Sequence, residues 1–355
     1  MQKYSPYSEL KIFHHTDRIE GLLKGERVAP IYVRIKPTNV CNQKCYYCGY
    51  ADDSLYDGRK VDRRESIPWE IMERTILELA DMGVKAVTFS GGGEPLCYHS
   101  IEKTLKLVQE SGIDYSMISN GQALKGDIVE ILKDAKWIRI SFDSYQAATY
   151  QSVRGVTTHQ QVINNIENFA NKKSKDCTLG INCVVTKQNA NEIYDICRLV
   201  KEAGVDNIKL SPIMVKEDEA GYHDEIKDTV GEQILRAKEE LETDAFHVVD
   251  KYTNDLAMDH NFEKSYHRCV IQDLFAVIAA DSKVYRCHQR AYTKPGEIGD
   301  LTQHTFKEIW YSKETIQKLR QFDACKECRF RCAFDERNML LNDFLQVDKN
   351  HINFI

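Results

Sequence analysis

The sequence predicts an α/β protein: a parallel sheet with helices outside it, followed by a smaller α+β unit. Two observations carry this. From residue 32, short β-rich runs alternate with longer amphipathic ones about six times, and such alternation implies parallel strands joined by crossover helices. From Cys269 the pattern changes to two short strands and a helix, bracketed by cysteines.

The elements follow in order. YVRIKP (32 to 37) reads as the first strand. Ser66 and Pro68 open a helix whose apolar residues Ile71, Met72, Leu79 and Met82 recur at helical spacing. VKAVTFS (84 to 90) is the second strand. Further strands are expected at 113 to 119, 136 to 142, 178 to 186 and 206 to 213, with helices at 101 to 111, 125 to 134, 158 to 171 and 190 to 203. After Pro212 a charge-rich stretch, 216 to 228, leads into one amphipathic helix marked by Ile226, Val230, Ile234, Ala237 and Leu241. Strands at 274 to 280 and 284 to 288 then flank Asp281-Ser282-Lys283, and a helix is expected from 305 to 321. The expected division is an N-terminal extension (1–31), a sheet core (32–215), a helical connector (216–265), an auxiliary unit (266–340) and a C-terminal tail (341–355).

Composition narrows the function. With 48 basic and 54 acidic residues the formal charge is -6, which leaves no footprint for nucleic acid or an anionic membrane. The longest apolar run, LFAVIAA (274 to 280), is far too short to cross a bilayer. MQKYSPYSEL at the N-terminus has no apolar core of a signal peptide, so a cytoplasmic protein is expected. In such a setting the twelve cysteines point to metal binding or catalysis rather than disulfides.

Three of them, Cys41, Cys45 and Cys48, fall in PTNVCNQKCYYCGY just after the first strand. Structural zinc wants four ligands in separated pairs. A cubane 4Fe–4S cluster held by three thiolates leaves one iron free for another ligand. On residues alone, that cluster stands beside a zinc site or unliganded thiols. The context is more specific, because the chain resembles the radical S-adenosylmethionine (SAM) enzymes, whose C-x3-C-x-aromatic-C signature is matched by Cys41, Cys45, Tyr47 and Cys48. Gly92-Gly93-Glu94-Pro95, after the second strand, resembles the family's GGEP segment. Glycines there allow close backbone approach to a ligand.

The resemblance implies a partial (β/α)6 TIM-like barrel. It also implies that Cys41, Cys45 and Cys48 hold a 4Fe–4S cluster whose open iron binds SAM. Ser119 and Asn120 at the third strand's end, and Ser141 and Asp143 at the fourth, are then expected to contact SAM. Arg154 is expected at the SAM carboxylate, and Ser211 on the sixth strand is a further candidate. Capping of the following helices is the competing role for Asn120 and Asp143.

Cys269 and Cys287 flank the second unit's hairpin, and Cys325, Cys328 and Cys332 follow its helix in C-x2-C-x3-C spacing. Spacing alone also allows a zinc ribbon. IGDLTQHTFKEIW (298 to 310) resembles the segment in SPASM and twitch domains of radical SAM enzymes, which hold auxiliary 4Fe–4S clusters. Five cysteines fit one auxiliary cluster, with one thiol to spare among Cys325, Cys328 and Cys332.

What the resemblance implies is reductive cleavage of SAM to a 5'-deoxyadenosyl radical that abstracts hydrogen from a substrate C–H bond. A reducing partner such as flavodoxin or ferredoxin is implied with it. The expected substrate is a small molecule: a sugar, sugar nucleotide or aminocyclitol undergoing dehydrogenation, deoxygenation or epimerisation. Only about 30 residues precede the first strand, short of the added recognition domain that many peptide-modifying members carry. A peptide maturase is the alternative, and a non-catalytic iron–sulfur or zinc redox sensor the third reading.

Overall fold

A computed structural model describes residues 8–51, 59–214, 221–256, 262–330 and 332–354. Residues 216 to 220 of the charge-rich stretch therefore lie outside the described residues. No helix among them is long and apolar enough to cross a membrane.

After helix α1 (Thr16–Leu23), the six expected strands are β1 (Tyr32–Ile35), β2 (Ala86–Phe89), β3 (Asp114–Ser119), β4 (Trp137–Ser141), β5 (Thr178–Val185) and β6 (Asn207–Pro212). Each pairs in parallel with the next. Between them run α2 (Trp69–Asp81), α3 (Ile101–Glu110), α4 (Asp127–Leu132), α5 (Ala147–Arg154), α6 (His159–Lys172) and α7 (Ile193–Glu202). Alternation divides each strand. Val33, Ile35, Val87, Phe89, Ile138, Ile140, Leu179 and Ile181 are buried in one core together with Met72, Ile76 and Leu79 of α2. That is the helix-covered face. Residues one position out of step face the opposite way, and this second face is called the inner face below.

Beyond β6 come α8 (Lys227–Leu241), β7 (His247–Asp250) and α9 (Tyr252–Leu256). The strand β7 extends the sheet in parallel past β6. Its two apolar residues, Val248 and Val249, are too few to announce a strand, and the helical connector expected there contains one. The second unit begins with β8 (Phe275–Ile278) and β9 (Lys283–Tyr285), the expected hairpin. Ser282 takes φ 59 at the turn, a left-handed value that favours glycine. Then follow β10 (Glu297–Asp300), α10 (Phe306–Tyr311), α11 (Lys313–Gln321), α12 (Ala324–Glu327) and α13 (Asp335–Gln346). The single helix expected at 305 to 321 is two helices, because Ser312 turns extended and caps α11 by accepting from Thr315 N at 3.0 Å. The residue-340 boundary falls inside α13.

The two units share one sheet. Strand β8 pairs in parallel with β1, opposite Arg34 and Ile35, and the order is β10-β9-β8-β1-β2-β3-β4-β5-β6-β7. The C-terminal ends of β1 to β8, where such folds place their chemistry, thus carry loops from both units.

Candidate functional site

The loop after β1, which carries the first three cysteines, is tied down almost residue by residue. Thr38 O accepts from Gly93 N at 2.8 Å, and Val40 O from Glu94 N at 2.9 Å, so the glycine segment after β2 is hydrogen-bonded to it. A side chain at Gly93 would place Cβ 2.1 Å from Val40 O, and one at Gly92 would meet Asn39 Oδ1 at 1.9 Å. These glycines are needed for the loop backbone itself. Asn42 Oδ1 accepts from Asn120 Nδ2 at 2.6 Å. Gln43 Nε2 donates to Tyr150 Oη at 3.0 Å, and Lys44 N to Arg154 O at 3.0 Å.

Glu94 is buried and its carboxylate is fully engaged. It accepts from Ser119 Oγ at 2.8 Å, Asn120 N at 2.7 Å and Leu96 N at 3.1 Å. Burial pushes its pKa up, and these donors oppose that. Glu94, Ser119 and Asn120 therefore come together as a strut joining the ends of β2 and β3 to the cysteine loop.

Asp143 and Arg154 come together as well. Arg154 Nη2 lies 2.5 Å from Asp143 Oδ2, with both side chains buried. Tyr47 Oη donates to the same Asp143 oxygen at 2.6 Å, Val184 N donates to its Oδ1 at 2.8 Å, and Arg154 Nη1 reaches Cys45 Sγ at 3.6 Å. Arg154, expected at a SAM carboxylate, directs a charge-assisted hydrogen bond at a cysteine sulfur in this structure. Ser141 and Ser211 are half-buried on the inner face.

Cys41, Cys45 and Cys48 are half-buried and free of disulfides. Burial pushes the Cys41 thiol up to about 11, and Glu94, Cys45 and Cys48 act on it in the same direction. Burial also raises Cys45, against the pull of Arg154. Among the described residues no group of three or more Cys, His, Asp or Glu is gathered to hold one metal ion. A four-iron cluster binds each thiolate at its own iron, and three thiols on one fixed loop suit that donor set.

Four of the second cysteine set, Cys269, Cys287, Cys328 and Cys332, face one cavity of about 100 Å3. Cys325 does not. Burial raises the Cys269, Cys287 and Cys332 thiols, the last up to about 12; neighbouring thiols add to the effect, and Arg286 opposes it at Cys287. Asn338 of α13 donates to Cys269 Sγ at 3.5 Å and accepts from Ile271 N at 3.0 Å. Arg34, Arg286 and His288 line the same cavity. Four thiols with cationic neighbours suit a closed, anionic cluster.

Sequence reasoning missed several residues here. Tyr292 Oη donates to Asn39 Oδ1 at 2.5 Å. Lys36, fully buried just past β1, donates to Tyr50 Oη at 2.6 Å and sits 4.3 Å above that ring. Asn338 was hidden because a helix with polar residues on its buried side gives no amphipathic signal.

Residues 35–200 match the Radical SAM superfamily model, and residues 269–333 match the SPASM model, an iron–sulfur cluster-binding domain. The chain is 24% identical over 318 residues to the AdoMet-dependent heme synthase of Methanosarcina barkeri, covering 84% of this chain and 87% of that protein. It is 28% identical over 190 residues to the GTP 3',8-cyclase of Clostridium perfringens, covering 51% of this chain and 56% of the cyclase. In fold it is similar to Streptococcus suis SuiB, solved bound to precursor peptide SuiA, with TM-score 0.63, 19% identity, and 87% and 71% of the two chains covered.

Proposed function

This chain belongs to the radical SAM superfamily and is an enzyme that uses SAM and 4Fe–4S clusters, and we propose that it abstracts hydrogen from a C–H bond of a small, polar, hydroxyl-rich molecule. A sugar, sugar nucleotide or aminocyclitol fits, undergoing dehydrogenation, deoxygenation or epimerisation. When bound, SAM and a reduced cluster supply the 5'-deoxyadenosyl radical.

The protein's own contribution is position. Cys41, Cys45 and Cys48 hold the cluster that binds SAM, on a loop fixed by Gly92, Gly93, Asn120 and Arg154. Asp143 and Tyr47 orient Arg154 toward Cys45, where its charge favours thiolate. Ser141 and Ser211 offer SAM hydroxyls from the inner face. Cys269, Cys287, Cys328 and Cys332 hold the auxiliary cluster, which leaves Cys325 as the spare thiol. A flavodoxin or ferredoxin in the cytoplasm would supply electrons.

The observation that carries the substrate reading is the inner face itself. Parallel strands buried on both sides are apolar throughout, whereas here Thr88, Ser116, Arg139, Ser141, Asn182 and Lys209 face inward. Such a surface hydrogen-bonds a hydroxylated molecule. The test is substrate-stimulated formation of 5'-deoxyadenosine, with deuterium passing from labelled substrate into it. Sugars, sugar nucleotides and aminocyclitols should include a stimulant. Stimulation by peptides alone would replace this reading with a peptide maturase.

A further inference from the structure

Glu192 is buried at the N-terminal end of α7, in the loop that follows β5. Its carboxylate is directed at the start of α5, where it accepts from Tyr145 N at 2.7 Å, from Gln146 N at 3.2 Å and from Thr149 Oγ1. Amide groups at a helix start have no partner within the helix, and the positive end of the helix dipole favours a carboxylate there. In the same loop the buried Asn189 donates from Nδ2 to Asp143 O at 2.7 Å and to Val184 O at 2.9 Å, while its Oδ1 accepts from Thr186 N at 2.8 Å. One loop thus holds both the backbone of Asp143 and the helix that carries Arg154.

The other end of α5 is fixed to the cysteine loop. Lys44 N donates to Arg154 O at 3.0 Å, Tyr46 N to Val153 O at 3.3 Å, and Gln43 Nε2 to Tyr150 Oη at 3.0 Å. Gly155, at φ 68, ends the helix so close to the loop that a Cβ there would lie 2.9 Å from Lys44 O. The helix has eight residues, a length of about 12 Å. Where Glu192 fixes its first turn therefore decides where its last residue places the Arg154 guanidinium, which reaches Cys45 Sγ at 3.6 Å.

We propose that Glu192 is a positioning residue for the SAM cluster: by anchoring α5 it directs the charged hydrogen bond of Arg154 at Cys45, and so raises the reduction potential of that cluster. The inference rests on the reading that Cys41, Cys45 and Cys48 hold it. A hydrogen bond to a ligand sulfur stabilises the reduced, more negative cluster, which is one of the means by which a protein sets a cluster's potential. A charged donor strengthens the effect. Cys269, Cys287, Cys328 and Cys332 lie in the second unit, so the auxiliary cluster serves as an internal reference.

Redox titration of the cluster-loaded protein, followed by EPR, reads both clusters, and the signal that changes when SAM is added belongs to the first. In Glu192→Ala the potential of that cluster should fall while the other stays in place. Glu192→Gln, whose amide oxygen still accepts a hydrogen bond, should recover part of the shift. On a background of Asp143→Asn with Arg154→Gln, which removes the charge without stranding a buried carboxylate, Glu192→Ala should shift nothing further. A lowered Tm in Glu192→Ala with both potentials unchanged would overturn the inference, leaving Glu192 a role in folding alone. An equal shift at both clusters, or an undiminished shift in the background without Arg154, would overturn it too. A wild type with no SAM-responsive signal would instead overturn the cluster assignment, and this inference with it. Should Glu192→Ala lose the first cluster's iron, Thr149→Val, which removes one donor and keeps the side-chain shape, decides by the same fall in potential.

Discussion

Tyr292 Oη donates a 2.5 Å hydrogen bond to Asn39 Oδ1, joining the C-terminal unit to the loop that carries the first three cysteines. Both side chains are buried, and Asn39 also donates to Asp62 O at 2.9 Å. Tyr292 takes φ 63, and its ring lies 5.3 Å from Lys36 Nζ. The two cluster regions are thus parts of one packed body, joined further by the β8–β1 pairing.

Tyr292→Phe should keep the packing and leave Asn39 Oδ1 without this donor. A buried acceptor so stranded costs about 1–3 kcal/mol. Thermal unfolding of the loaded protein should show that loss. An unchanged Tm would mean the bond contributes nothing to the docking.

Gly93→Val should displace the cysteine loop, since even Cβ would sit 2.1 Å from Val40 O. Iron should fall from about eight to about four per chain, the auxiliary cluster remaining. Full iron with weakened SAM binding would instead place the glycine directly against SAM.

Cys325→Ser should retain the auxiliary cluster, because that side chain is outside the four-thiol cavity. Cys328→Ser should lose it. Iron analysis of the two variants, each in a background lacking Cys41, Cys45 and Cys48, gives about four irons against about none. The reverse outcome would exchange their roles.

Iron-free protein should lose stability as pH rises from about 9 to about 11. The Cys41 thiol has an ordinary value of 9.0 and is pushed up to about 11 by burial in the folded chain. Over that interval the folded state holds the proton more tightly than the unfolded one, so stability present below 9 is lost on the way to 11. Chemical denaturation at several pH values reads this directly. Flat stability across the interval would contradict the assignment of Cys41 as a buried thiol.

How far the sequence reached can be judged from particular residues. The cysteine spacing and the strand–helix alternation are local patterns, and the structure places Cys41, Cys45, Cys48 and six parallel strands where they lead. Strands β7 (HVVD) and β10 (EIGD) were illegible because polar and charged residues leave each with only one or two apolar positions, and pairing partners supply their stability. Arg154 and Asp143 were named individually as SAM contacts, but their pairing with each other depends on α5 packing against the cysteine loop, a contact between residues 44 and 154. Tyr292 and Asn338 act across still longer separations, without any motif.

The most direct test of the central claim is 5'-deoxyadenosine formation from SAM by anaerobically reconstituted protein under a strong reductant. Wild type should form it. The Cys41→Ala, Cys45→Ala, Cys48→Ala triple variant should form none while retaining about four irons in the auxiliary site. Undiminished 5'-deoxyadenosine from that variant would contradict the account.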